Sequence, residues 1–152
     1  MDTLKQDLRA LYRRDLDQLI ENVIETPEED LWHVPEGVNN SCGVLVQHLV
    51  GNLNHFIGQG MGDTGYVRQR DREFTSTSVS KEELVESIED LKLTLDEVLD
   101  SIEDGSLDQD FPMDTPFDFS AGGVLMHLYG HLNYHLGQVN YLRRILSQKD
   151  EK

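Results

Sequence analysis

Residues 48–59 read HLVGNLNHFIGQ and residues 127–138 read HLYGHLNYHLGQ, and seven of the twelve aligned positions are identical at an offset of 79. Each copy sits in a longer stretch whose apolar residues recur every three or four positions, the mark of a helix with one buried stripe. The first helix of the pair covers about 42–59, with Ser41 as its cap and Val44, Leu45, Leu49, Leu53, Phe56 and Ile57 on its stripe. The second covers about 121–147 behind Ser120. The two read as equivalent halves of a pseudo-symmetric pair of helical hairpins, with convergence of two similar helices as the competing explanation. Each copy also carries two glycines seven residues apart: Gly51 and Gly58, Gly130 and Gly137. A mid-helix glycine costs about 1 kcal/mol relative to alanine. Close helix–helix approach, or room for bulky side chains opposite, is the expected reason.

Two further helices complete the set. Leu4, Leu8, Leu11, Tyr12, Leu16, Leu19, Ile20 and Val23 define a helix over about 3–25, closed before Pro27, which opens a short helical turn as its first residue. Ser80 and Glu83 form a capping box, with Val79 and Leu84 at the positions of a hydrophobic staple, and start a helix reaching about 104. Between Lys81 and Asp104 stand ten acidic and two basic residues, half of the net charge of −16, which reads as a solvated face. Residues 60–79 and 105–119 read as loops, each holding polar or helix-breaking residues. Four long helices without a convincing strand predict one all-α domain over residues 1–152, a four-helix bundle. A connection of about 20 residues can run back along a helix of about 27 Å, which allows the second and third helices to be parallel.

Thirteen basic residues against 29 acidic ones argue against nucleic acid and against an anionic membrane surface as partners. No run of 18 apolar residues and no signal-like apolar core is present, and the single Cys42 excludes an internal disulfide. A cytoplasmic protein is the expectation.

His127, His131 and His135 lie at i, i+4 and i+8. Residues four apart share a helix face, so two imidazoles there can converge on one metal ion. Each step of four drifts by about 40°, so the outer two are separated by about 80° and only one adjacent pair shares a site. The pair is His127/His131 or His131/His135. A third ligand comes from the other copy of the repeat, His48 or His55. Three nitrogens and an open position suit a catalytic metal better than a structural one. Leu132 stands where a zincin helix has glutamate, so no general base of that type follows.

VQHLVGN at 46–52 followed by GHLNYHLGQ at 130–138, with the segment Arg68-Gln69-Arg70-Asp71-Arg72-Glu73-Phe74 between them, resembles the DinB/YfiT-like superfamily of metalloenzymes over nearly the whole chain. The resemblance implies an up-down-down-up bundle, a divalent metal such as nickel or zinc, frequent homodimers, and His48, His131 and His135 as ligands. His127 and His55 then fall outside the ligand set, as candidates for the pocket around it. It also implies transfer of low-molecular-weight thiols to electrophiles, or isomerisation of thiol adducts, on a small-molecule substrate. Metal coordination stabilises a thiolate and orients it. Zinc can also lower the pKa of a bound water to roughly 7, which keeps hydrolysis as an alternative beside binding without turnover.

Around this core, Asn52 shares the face of His48 and suits either orienting an imidazole or ligand or a plain interhelical hydrogen bond, and Gln138 is read the same way. Arg68, Arg70 and Arg72 can guide an anionic substrate or pair with the chain's own acidic surface. Cys42, at a helix start, reads as a small buried residue rather than a thiolate, and Trp32 and Phe111 as packing aromatics.

Overall fold

The computed structural model describes residues 3–148. Helix α1 spans Thr3–Glu25 and α2 is the single turn Glu28–Leu31. Helix α3, Cys42–Leu53, continues through a π-helical turn, Asn54–Gln59, into the short α4, Gly60–Gly62. Then come α5, Arg70–Thr75, α6, Lys81–Ser101, and α7, Ala121–Ser147. The described residues contain no strand, only one isolated bridge between Asp110 and Ser120.

The cross-helix bonds give the directions. Lys5 reaches the carbonyl of Ile102, Arg9 bonds Asp96 and Asp100, and Lys92 pairs with Asp17, so rising numbers on α1 meet falling numbers on α6. These two are antiparallel. Tyr12 donates to the Leu125 carbonyl, Asn133 to Asp15 and Arg143 to Asn22, so α1 and α7 are parallel. Cys42 lies against Val139 and His48 against His131, so α3 opposes α7. The order is up-down-down-up, and α3 and α6 run parallel as the long connection allows. Leu16, Leu49, Ile88 and Leu132 are each buried in the shared core.

Local signals account for the ends of the elements. Ser41 and Ser120 accept from the third backbone N–H of their helices, and Ser80 and Glu83 cap each other reciprocally. Four details differ from the sequence reading. Pro27 stands at the cap of α2 rather than inside it. The polar connection contains α5, which rests on α3 and is tied there by Gln47 Nε2, donating to the carbonyls of Glu73 and Ser76. Helix α6 stops at Ser101, where Lys5 takes the last carbonyls. Its acidic face is only partly solvated, because Asp96 and Asp100 engage Arg9 and Arg13. Among the described residues no helix is long and apolar enough to cross a membrane.

Candidate metal centre

The antiparallel crossing of α3 and α7 sets two matching stripes against each other. His48, Asn52 and Phe56 follow one another at four-residue steps along α3 and the π turn, and the repeat aligns them with His127, His131 and His135 on α7. The crossing pairs His48 with His131 and His135 rather than with its own counterpart. The Nε2 atoms of His48 and His131 are 3.2 Å apart and those of His131 and His135 are 3.1 Å apart. All three residues place a ligand nitrogen within 4.8 Å of the other two, the one such group among the described residues. His127 stays outside the group and packs on Phe117, ring centres 4.2 Å apart, and His55 packs on Phe56.

The neighbours of each ring decide which nitrogen is free. His48 Nδ1 lies 3.1 Å from Glu73 Oε1, and a carboxylate only accepts, so Nδ1 carries the proton and Nε2 keeps a lone pair. His135 Nδ1 faces Gln138 Oε1 at 2.7 Å with the same consequence. Two bare nitrogens therefore converge on the Nε2 of His131. A single N–H there can satisfy only one of them, whereas a cation satisfies all three. Burial, reinforced by His135 and His48, pushes the pKa of His131 down to about 4, so this ring is neutral at pH 7. Burial also lowers His48, against the opposing bond from Glu73. The donor set fits a divalent transition metal with three nitrogen ligands.

Glu73 is the participant that sequence reasoning passed over. It is buried, and Arg68 holds both its oxygens, Nε to Oε2 and Nη2 to Oε1, each at 2.9 Å. Carboxylate, imidazole and metal position form the arrangement that fixes ring orientation in metal sites. The segment 68–74 drew notice for its arginines, yet nothing in its local pattern marks the one acid that returns to α3. Gly51 explains the fit. A Cβ there would overlap the Glu73 carboxylate, standing 2.5 Å from its Cδ. Space for a side chain opposite is thus the reason for this glycine. No such reason holds for Gly130 and Gly137, whose Cβ positions meet nothing within 4 Å.

The remaining candidates divide. Arg68 is committed to Glu73, Arg70 lies over the Phe74 ring at 5.4 Å, and Arg72 lines a separate cleft with Gln47 and Tyr66. Asn52 Oδ1 and His131 Nδ1 are buried without a hydrogen-bond partner. Cys42 is buried, its thiol pushed up to about 11 by burial, so it is packing rather than a nucleophile. Trp32 covers Gly43 and packs on the core.

No curated protein and no solved structure matches the chain. A family described as "Protein of unknown function (DUF1572)" matches residues 2–152, and the chain belongs to that family.

Proposed function

We propose that this protein is a divalent-metal-dependent enzyme in which His48, His131 and His135 hold the ion. The convergence of three Nε2 atoms from two helices carries the reading. Glu73 and Gln138 orient two of the rings, and burial keeps His131 unprotonated, so the chain spends little on reorganising these side chains when the ion arrives. A divalent ion held this way supplies Lewis acidity to a bound thiol or carbonyl group. The resemblance to DinB/YfiT-like proteins supports nickel or zinc as the ion and transfer or isomerisation of a low-molecular-weight thiol as the reaction.

Calorimetric titration of metal-free protein with zinc and with nickel tests the centre. One ion per chain is expected, lost in His135→Ala and retained in His127→Ala, because only the first ring faces the other two. Equal losses in both variants would contradict the assignment. Metal-loaded protein incubated with glutathione, bacillithiol or mycothiol and a model electrophile tests the reaction. Rates no higher than those of the metal-free protein would remove thiol transfer and leave a binding site.

A further inference from the structure

A cavity of about 230 Å³ opens beside the three histidines, and His48 and His131 belong to its lining. The repeat gives it a counterpart. Asn52, Phe56 and His127 line it, and they align with His131, His135 and His48 of the metal centre. At the positions aligned with the three ligands stand one histidine, one asparagine and one phenylalanine, and they border a space. Phe56, Phe117, Val124 and Leu128 supply an apolar wall, with two aromatic rings suited to a flat body.

The charge of the cavity runs against that of the molecule. In a chain with 29 acidic residues among 152, not one Asp or Glu lines it among the described residues, while Arg68 and Arg70 do. Arg68 is neutralised by Glu73. Arg70 is exposed and has no ion pair among the described residues, and its guanidinium rests on Phe74. Among the described residues, Asn52 is the one amide of this lining and supplies a polar group beside the histidines.

We propose that the cavity binds a small organic carboxylate with an apolar, preferably aromatic, body: its polar coordinating head lies at the three-histidine centre and its carboxylate pairs with Arg70. This assignment rests on the metal reading and names the ligand class for the same site. Arg70 is the specificity determinant, because it supplies charge without touching the histidines or Glu73.

Two probes separate the parts. Benzohydroxamate has the head and the ring, and 4-carboxybenzohydroxamate adds a distal carboxylate. Both are titrated calorimetrically into zinc-loaded wild type, Arg70→Gln and Asn52→Ala, after zinc stoichiometry has been measured for each protein. Wild type is expected to prefer the carboxylated probe by about fivefold at low salt, the size of a partly exposed charge pair. Arg70→Gln should erase the preference while binding benzohydroxamate as wild type does. Asn52→Ala should weaken both probes alike. An equal affinity of wild type for the two probes, or a preference that survives Arg70→Gln, overturns the assignment with the metal centre intact. Failure of wild type to bind zinc at all overturns both readings.

Discussion

The carboxylate of Glu73 takes a proton-bearing nitrogen of His48 on one side and a guanidinium on the other, while the missing side chain of Gly51 leaves room for it. These three facts make one unit, and they conflict with helix propensity. Alanine at position 51 would favour α3 by about 1 kcal/mol. Its Cβ would displace Glu73 and release the His48 ring. Gly51→Ala is therefore expected to lower zinc affinity by about 10- to 100-fold, as loss of an orienting partner does, with helix content unchanged. In an Glu73→Ala background the obstacle is gone, so the same substitution should cost no further affinity. Calorimetry on the four proteins of this cycle reads the coupling. Additive losses would mean that Gly51 and Glu73 act independently and that the steric argument is wrong.

At the level of elements, the sequence exposes what is periodic and conceals what depends on distant partners. The stripes of α1, α3, α6 and α7 and the capping box at Ser80 and Glu83 are local, and the helices stand where those signals put them. Helical drift narrows the histidine pair on α7 to two choices and the family resemblance points to His131 and His135, but the reason is the position of α3, which brings His48 to that pair. Helix α5 was invisible because its six residues hold one apolar anchor, Phe74, and owe their place to Gln47 and Glu73. The π turn likewise has no sequence mark. Equally hidden is the lock between α1 and α7, where buried Asp15 accepts from Tyr129 at 2.5 Å, Asn133 at 3.1 Å and Arg14 at 2.9 Å. Burial alone would raise this carboxyl, yet the three donors hold its pKa below the usual value. Asp15→Ala removes the shared acceptor at the interface between α1 and α7, leaving half-buried Tyr129 short of a partner while exposed Arg14 and Asn133 turn to water. A loss of about 1 kcal/mol is expected, because water replaces the acceptor for the exposed donors, and it is read as a lower urea midpoint at unchanged slope. A midpoint within a few tenths of a kcal/mol of wild type would show that the lock adds no net stability.

Over the whole molecule, protonation acts on stability through groups whose folded pKa values are depressed. His131 titrates at about 4 in the fold against 6.5 in a free chain, and burial also lowers His48 and His55. Between those limits the unfolded chain binds more protons than the folded one, so unfolding is favoured as pH falls. Stability is full above pH 6.5 and declines through the window down to about 4. Relief of self-repulsion in a chain of net charge −16 acts the other way, but most carboxylates remain ionised above pH 5. The interval from pH 7 to 5 therefore isolates the histidines. Urea midpoints of the metal-free protein should fall across it, and His131→Gln, which has no proton to gain, should give a shallower profile. Zinc should raise the midpoint at pH 7 through binding to the folded state alone, and the gain should shrink toward pH 5 as protons compete for the same nitrogens. A zinc effect that is independent of pH across this interval would place the ion on carboxylates elsewhere in this acidic surface, not on the three imidazoles.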